Sequence, residues 1–259
     1  MHPVLTVVTV VYNAHDVLEA TIQSVLAQTF PHIEYLVIDG GSTDGTLDII
    51  KRYATQLSRW VSEPDKGIYD AMNKGIVAAT GEWICFINAG DRFHTSTIVE
   101  DVFKNQPLTA QADVLYGDVV IEYPTFKRVG KAKEVSQLWK GMICSHQSLF
   151  TRTALLKETP FDTQFKLGAD FDSLLGLYTS GRCFVQIPLV VADVSAMGQS
   201  DQHRVLSIQN WRGAALKYNG SFKTRFFFWR LLESTKLKRC LKNLMPKVFL
   251  DTILRLKYK

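Results

Sequence analysis

The stretch LTVVTVVYN at residues 5–13 and the stretch IEYLVIDGGS at residues 33–42 share one pattern. In each, a run of β-branched and other apolar residues ends abruptly in polar residues or glycine. Such runs predict buried strands, here from Leu5 to Val11 and from Ile33 to Ile38. With a helix between them that runs to about Ala27, the two stretches predict a strand–helix–strand unit.

The same alternation continues along the chain. Helices are expected from Asp44 to Gln56 and from Ile68 to Ala79, with a short strand from Trp60 to Ser62 and a buried strand from Trp83 to Ile87. Such alternation predicts an α/β fold with a mixed, mainly parallel sheet and helices on both faces, which binds ligands at the carboxyl ends of its strands. We expect four polar clusters at that rim: Tyr12-Asn13, Asp39-Gly40, Asp65-Lys66 and Asn88-Ala89-Gly90-Asp91.

The pattern changes after residue 91. A hairpin, two further strands and a helix are expected there, and one strand is interrupted by a proline. They are Val114 to Glu122 with Lys127 to Val129, Cys144 to Phe150, Gly168 to Ser180, and Val185 to Val194 with Pro188.

The composition is that of an ordinary globular protein. The chain has 259 residues, of which 46% are hydrophobic and 21% charged, so it fits one large domain or one domain with an appendage. No apolar run is long enough for a membrane-spanning helix, and the first residues lack the pattern of a signal peptide. The four cysteines form no CxxC pair. We therefore expect a cytoplasmic protein with reduced thiols.

Positive charge is concentrated at the C-terminus. Residues 222–259 contain eleven Lys or Arg and two acidic residues, a net charge of +9, which leaves −4 for residues 1–221 out of the total of +5. We predict a body at residues 1–220 and a basic amphipathic tail at residues 221–259, divided into two helices by Pro246. The tail either contacts an anionic membrane surface or packs on the body with its charges in water, and we favour the membrane.

Asp91 is the first candidate for chemistry, because it follows a buried strand with Asn88 and Gly90 beside it. A carboxylate there must be solvated, paired or bound to a metal, since a bare buried charge is costly. One hypothesis is that it holds Mg²⁺ or Mn²⁺ together with a diphosphate. The other is that Asn-Ala-Gly-Asp is a simple turn.

Three further residues have two interpretations each. Asp39 either accepts from a ribose hydroxyl or a base N–H, or is a helix cap in a βα loop. Asp170, at the start of a helix, is either a general base or a partner of the helix dipole. His146 is either catalytic or structural.

Together these segments resemble family 2 glycosyltransferases, which are inverting enzymes with the GT-A fold. The resemblance covers about residues 3–200 in family order and spacing. It is carried by TVVYN at 9–13, EYLVIDGGSTDGTLD at 34–48, SEPDKGIYDAMNKG at 62–75, GEWICFINAGD at 81–91, Ser145-His146-Gln147, and Gly168 to Asp172.

For the donor, the resemblance implies a pocket at the first three strand ends. The backbone around Val10 and the ring of Tyr12 would hold the nucleoside, and Asp39 would bind the base or the ribose. Asp65 and Lys66 would line the nucleotide pocket.

For the reaction, the resemblance implies that Asn88, Ala89 and Gly90 would contact the diphosphate and that Asp91 would bind a divalent metal, Mg²⁺ or Mn²⁺. Asp170 would be the catalytic base. His146 and Gln147 would lie near the acceptor or the diphosphate. The chain departs from the family pattern at Asn88 and Gly90, where the Asp-rich motif has other residues, and at Ala169, where a glutamate is usual.

The implied activity is a hexosyltransferase that inverts the configuration of the transferred sugar. It would use a nucleotide-sugar, specifically a UDP-sugar, and an acceptor hydroxyl on a sugar or lipid-linked glycan in cell-surface polysaccharide biosynthesis. The protein would sit peripherally on the inner face of the membrane, and we expect no nucleic-acid partner. The alternatives are a nucleotidyltransferase and a non-catalytic sugar-nucleotide-binding or membrane scaffold protein.

Overall fold

A computed structural model describes residues 3–103, 111–196 and 198–244. The strands are β1 Leu5–Val11, β2 Ile33–Asp39, β3 Arg59–Ser62, β4 Trp83–Phe86, β5 Arg92–Phe93, β6 Val114–Glu122, β7 Lys127–Gly130, β8 Leu149–Arg152 and β9 Phe184–Ser195. The helices are α1 His15–Leu26, α2 Thr46–Tyr53, α3 Ile68–Ala78, α4 Ile98–Phe103, α5 Thr153–Glu158, α6 Ala169–Thr179, α7 Gln199–Gln202, α8 Arg204–Tyr218 and α9 Phe222–Leu244.

The strands form one mixed sheet in the order β3-β2-β1-β4-β8-β6-β9-β5, with β7 paired to β6. Strands β1 to β4 run parallel, as the alternation of strands and helices predicts, and β8 joins them to β6 in the antiparallel sense. Helices cover both faces, because Val7 of β1 packs in one core cluster with α1 and α2, and its neighbour Val8 packs in another with α3. The predicted fold class is confirmed.

The parallel register brings the strand ends to one rim. Val11 is paired with Asp39, and Asp39 with Ser62, so β1, β2 and β3 end side by side. The amide of Ala89 donates to the carbonyl of Val10 at 3.3 Å, which carries the segment after β4 to the same place. The predicted convergence of four polar clusters at this edge is confirmed.

Two predicted strands differ from the structure. The segment from Cys144 to Phe150 is not one strand, because residues His146–Ser148 form a 3₁₀ turn and β8 starts only at Leu149. Strand β9 continues through Pro188 instead of being interrupted. Its pairing with β6 shifts register on either side of Asp118, and this irregularity accommodates the proline.

The start of the predicted tail is part of the body's core. Helix α9 packs on α8, and its Phe228 and Leu232 are buried in the cluster formed by α6 and α8. The ring centroid of Phe227 lies 5.2 Å from that of Trp139. The predicted break at Pro246 and the second tail helix lie outside the described residues.

Gly81 fixes the approach of the loop before β4 to β1. Its amide donates to the Thr6 hydroxyl at 2.9 Å, and a Cβ at this position would lie 2.6 Å from the Thr6 backbone nitrogen. Because Thr6 lies in the central strand β1, its backbone cannot easily shift to make room for such a Cβ.

We therefore expect Gly81→Ala to lower the free energy of unfolding by about 1–3 kcal/mol, the usual cost of overpacking. Urea denaturation of the purified proteins measures it. Gly198→Ala is the matched control, because a Cβ there would meet nothing within 4 Å. Equal stability of the two variants would contradict the prediction.

Candidate active site

The first two loops of the rim are tied together by side-chain hydrogen bonds. Asn13 has a φ of 47°. Its side-chain oxygen accepts from the Thr43 backbone amide at 2.9 Å, and its backbone amide donates to the Ser42 hydroxyl at 2.8 Å. The Asp44 carboxylate accepts from the amide and hydroxyl of Thr46 at the start of α2, and these bonds hold its pKa at about 2. The loops after β1 and β2 therefore form one braced unit.

Asp39 lies beneath this unit and is fully buried. Its carboxylate accepts from the amides of Gly41 and Ser42 at 3.2 and 3.1 Å and from the hydroxyls of Ser42 and Ser62 at 2.5 and 2.6 Å. In this structure the side chain shapes the loop that follows β2. Its predicted contact with a base or ribose stays a prediction.

Tyr12 and Asp65 lie on either side of Gly40. A Cβ at Gly40 would contact the Asp65 carboxylate and approach the Tyr12 ring to 3.3 Å, so only glycine leaves these side chains in place. Tyr12 is 62% exposed, and Lys66 is also exposed. The structure thus brings Tyr12, Asp65 and Lys66 to one open surface, whereas the side chain of Val10 is buried beneath it.

Asp91 ends a tight turn at the next strand end. Its amide donates to the Asn88 carbonyl at 2.9 Å, and Gly90 has a φ of 98°, which favours glycine. The Thr21 hydroxyl accepts from the Gly90 amide at 3.0 Å and donates to the Asp91 carbonyl at 2.9 Å. The turn hypothesis for Asn-Ala-Gly-Asp is therefore confirmed for the backbone, which leaves the role of the side chain open.

The Asp91 carboxylate is buried, with 8% of the residue exposed. It accepts from the Gln147 side-chain amide at 2.5 Å and from the Ser195 backbone amide at 3.2 Å. Burial raises the pKa of Asp91 to about 6, and the two hydrogen bonds oppose the rise. A cation at this carboxylate would offset the cost of burying its charge.

The donor atoms around Asp91 fit a divalent cation that takes most of its ligands from a bound diphosphate. The side-chain oxygen of Asn88 is buried and has no hydrogen-bond partner among the described residues. Together with the Asp91 carboxylate it could offer two hard oxygen ligands. Within the described ranges, no cluster of three or more His, Cys, Asp or Glu could hold a metal by itself.

The 3₁₀ turn at His146–Ser148 contacts two of the predicted acidic residues through neighbouring side chains. The Ser145 hydroxyl donates to the Gln147 side-chain oxygen at 2.6 Å, which leaves the Gln147 amide to donate to Asp91. The next side chain, His146, lies with its Nδ1 atom 3.8 Å from an Asp170 oxygen. One short turn thus spans the distance between the candidate metal ligand and the candidate base.

His146 is buried against Phe86 and Phe161, at ring-centroid distances of 5.2 and 6.2 Å. Burial lowers its pKa, so the imidazole is neutral at pH 7, and the nearby Asp170 charge only opposes this. Among the described residues neither ring nitrogen has a hydrogen-bond partner. His146 and Asp170 line a narrow cavity floored by apolar side chains, which include Phe86, Leu156 and Leu174.

Asp170 lies in the first turn of α6, and its side chain is 17% exposed. It accepts from the Tyr69 hydroxyl at 2.8 Å and from the Phe171 amide at 2.9 Å. Burial raises the pKa of Tyr69 well above its ordinary value, so this phenol stays protonated and keeps donating. Ala169 is fully buried, and a glutamate there would place an extra charge in the core.

Two hydrogen bonds to these acids were not predicted from sequence, although Gln147 itself was placed near the acceptor or the diphosphate. Tyr69 lies 101 residues before Asp170, and Gln147 lies 56 residues after Asp91. Both pairs come from different segments that only the folded sheet brings together. Neither residue type nor spacing signals such long-range hydrogen bonds.

Solved structures with the same fold are GT-A glycosyltransferases. Superposition on the Staphylococcus aureus TarS fragment 1–349 in complex with UDP has a TM-score of 0.65 and 21% identity, and covers 83% of this chain and 66% of that one. The mannosyltransferase PcManGT from Pyrobaculum calidifontis, in complex with GDP-Man and Mn²⁺, has a TM-score of 0.63 and 19% identity, with 90% and 70% covered. At sequence identities of 19–21%, these structural similarities establish the fold and not the substrate.

The chain belongs to glycosyl transferase family 2, whose model matches residues 6–159. A PGL/p-HBAD biosynthesis glycosyltransferase of Mycobacterium bovis is 32% identical over 192 residues, which is 73% of this chain and 72% of that protein. TuaG of Bacillus subtilis, named for teichuronic acid biosynthesis, is 36% identical over 94 residues, 35% of this chain and 37% of TuaG. The resemblance stated from the sequence motifs is confirmed, and the protein is a glycosyltransferase.

The burial of Asp91 leads to a prediction about stability. Because the folded pKa is about 6 and the ordinary value is 3.8, the ionised carboxylate costs stability at neutral pH. This cost is absent below the ordinary pKa of 3.8, grows as the pH rises from there to about 6, and stays constant above that pH. Without divalent cations, we expect Asp91→Asn to raise the free energy of unfolding by about 1–2 kcal/mol at pH 7.5, net of one lost hydrogen bond.

Denaturant unfolding in EDTA at several pH values tests this. The gain should shrink as the pH falls toward 4. A variant that is less stable than the parent at neutral pH, by an amount that disappears as the pH falls, would instead show that the ionised Asp91 stabilises the fold.

Proposed function

We propose that the protein is an inverting glycosyltransferase that moves a sugar from a UDP-sugar to an acceptor hydroxyl. The observation that carries the proposal is the pair of carboxylates joined by the turn at His146–Ser148. Asp91, after β4, is buried and accepts from Gln147. Asp170, on α6, is partly exposed beside His146. Asp91 is suited to bind a cation beside the leaving diphosphate, and Asp170 is suited to accept the proton of the incoming hydroxyl.

The donor would lie along the rim from Tyr12 to Asp91. Tyr12 offers an exposed ring for a nucleoside, and Asp65 and Lys66 lie beside it. The TarS structures contain UDP and UDP-GlcNAc, and this supports a UDP-sugar for the present chain. PcManGT contains GDP-Man, so GDP-sugars belong in the same donor screen.

Asp170 would act as the general base. It would take the proton of the acceptor hydroxyl while the oxygen forms a bond to the anomeric carbon from the face opposite the diphosphate. The bond from that carbon to the diphosphate oxygen breaks in the same step, so the configuration inverts and the electron pair leaves with the diphosphate. Tyr69 and the Phe171 amide orient one oxygen of Asp170 and leave the other toward His146.

Asn88 and Asp91 would hold Mg²⁺ or Mn²⁺, which offsets negative charge on the departing diphosphate. Gln147 would fix the Asp91 oxygen atoms through its amide. The neutral imidazole of His146 would form one wall of the acceptor site. Because it is uncharged, it would not pair with the Asp170 carboxylate and reduce its basicity.

The acceptor would be a lipid-linked glycan in the synthesis of a cell-surface polysaccharide, and the transferred group a hexose. The names of the mycobacterial relative and of TuaG, which refer to PGL/p-HBAD and teichuronic acid biosynthesis, support this class of pathway. Within the residues that the structure describes, no helix combines the length and apolarity that crossing a bilayer needs. A cytoplasmic enzyme held peripherally on the inner face of the membrane would reach such an acceptor.

A donor screen tests the function as a whole. UDP-, GDP- and TDP-sugars are incubated with lipid-linked sugar acceptors, and nucleotide release and glycan mass are followed. Release of nucleoside diphosphate with a matching gain of one hexose is expected. Release of pyrophosphate would indicate a nucleotidyltransferase, and donor binding without turnover would indicate a non-catalytic binding protein.

We expect Asp170→Asn to lower turnover about 10²-fold or more, the usual contribution of a positioned base, while donor affinity persists. Calorimetric titration with the donor separates the two quantities. Asp172→Asn is a matched control on the same helix turn, since Asp172 is paired with Lys217. Collapse of donor affinity in Asp170→Asn, with normal turnover per bound donor, would make Asp170 a binding residue.

We also expect Asp91→Ala to abolish transfer without unfolding the protein, and EDTA to abolish transfer by the parent. Added Mg²⁺ or Mn²⁺ should restore the parent and leave the variant inactive. Circular dichroism checks that the variant is folded. Transfer that survives EDTA would exclude the metal, and near-parental turnover of the variant would exclude the role of Asp91.

A further inference from the structure

Helix α9 has two faces of different character. One face packs on the body, where Thr224 is 2% exposed, Phe228 0% and Leu232 6%. The opposite face carries large apolar side chains in water at positions spaced about one or two helical turns apart. They form the aromatic stripe, which consists of Phe222 at 82% exposure, Phe226 at 48%, Trp229 at 55% and Leu237 at 61%.

The rings of the stripe contact one another along the helix. The centroids of Phe222 and Phe226 are 6.1 Å apart, and those of Phe226 and Trp229 are 5.7 Å apart. They form one continuous apolar surface and not scattered exposed residues, which would need no explanation. Such a surface on a soluble body indicates a binding partner.

Basic residues flank the stripe. Helix α9 contains seven Lys or Arg and one acidic residue, Glu233, which is paired with Lys236 at 2.9 Å. The exposed ones include Lys223, Arg225, Arg230 and Lys238. A second copy of the chain would bring two such faces together and place like charges side by side, which disfavours a symmetric dimer.

We infer that the aromatic stripe and its basic flanks dock on an anionic lipid bilayer, with the rings at the headgroup level and the Lys and Arg side chains at the lipid phosphates. Aromatic and basic residues on the outer face of a helix match the two components of that surface. The purpose of docking rests on the proposed function, because it would bring the protein to a lipid-linked acceptor. The docking itself is measured without turnover.

The packing of α9 also connects this surface to the site. Helix α9 lies on α8, and α8 lies on α6, which carries Asp170. Trp211 of α8 packs against Phe171, the residue after Asp170, at a centroid distance of 5.7 Å. Three helices in contact therefore fix the base relative to the docking face.

The test is flotation of the full chain with vesicles of phosphatidylcholine alone or with 30% phosphatidylglycerol, at low and high salt. Arg230→Gln with Lys238→Gln should weaken binding to the anionic vesicles about 25-fold, about fivefold for each charge, and high salt should reduce the difference. Phe226→Ser with Trp229→Ser should weaken binding at least tenfold at every salt concentration. The parent should not float with phosphatidylcholine alone.

Matched controls carry the same changes on the body. Lys51→Gln with Lys157→Gln removes two exposed charges, and Val77→Ser with Val129→Ser removes two exposed apolar side chains. Both control proteins should float like the parent. Brominated lipids should quench the parent's tryptophan fluorescence, and Trp229→Phe should remove most of that quenching.

Equal flotation of the stripe variants and their controls would overturn the inference. So would a parent that is a stable dimer by light scattering and becomes a monomer when Phe226 and Trp229 are replaced. Donor hydrolysis in the absence of vesicles should be unchanged in all these variants. If the parent hydrolyses and transfers normally but does not float, only the docking surface is contradicted. If it floats but shows no turnover, only the proposed function is contradicted.

Discussion

The hydrogen bond from the Gln147 amide to the buried Asp91 carboxylate joins the two halves of the sheet at the site. Asp91 follows β4, the last strand of the parallel group β1 to β4, and Gln147 precedes β8, which pairs with β4 in the antiparallel sense. The turn that carries Gln147 is itself anchored, because Ser148 donates to the Gly117 carbonyl at 2.8 Å. His146 on the same turn lies 3.8 Å from Asp170, so this one turn contacts both acids.

The buried acids differ in how their charge is compensated. Among the described residues, four carboxylates are buried: Asp39, Asp91, Asp118 and Asp172. Asp118 is paired with Lys131 at 2.7 Å and Asp172 with Lys217 at 3.0 Å, while Asp39 accepts four hydrogen bonds. Asp91 accepts only two, both from neutral donors, and its pKa is raised to about 6. At Asp91 burial outweighs these two bonds and the nearby charge of Arg92, so this carboxylate at the rim is the candidate for a functional site, whereas the charges of the other three are compensated within the fold.

The parts of the structure that follow from local pattern were predictable. Strands β1, β2 and β4 are apolar runs with polar ends, and parallel pairing then requires those ends to meet. The turn at His146–Ser148 was predicted as a strand, because three residues have no periodicity and the apolar residues after them belong to β8. The hydrogen bond from Ser62 to Asp39 was equally hidden, because Ser62 belongs to the neighbouring strand. Local chemistry identified which residues are polar at the rim, and only tertiary contacts decide which of them face a ligand.

Composition alone left two interpretations of the C-terminal segment. In the structure one face of α9 packs on the body, and the opposite face, for which we propose membrane contact, is exposed. At 3.6 residues per turn, Phe226 and Phe228 point to nearly opposite sides, one in water and the other in the core. Packing accounts for Phe228 and Leu232 and leaves basic residues such as Arg230 and Lys238 exposed beside the aromatic stripe. Exposed basic side chains beside exposed rings are complementary to a partner that has both negative charge and an apolar layer. An anionic bilayer meets both requirements in one surface, and the contact of α9 with α8, and of α8 with α6, makes the same helix a spacer between that surface and Asp170.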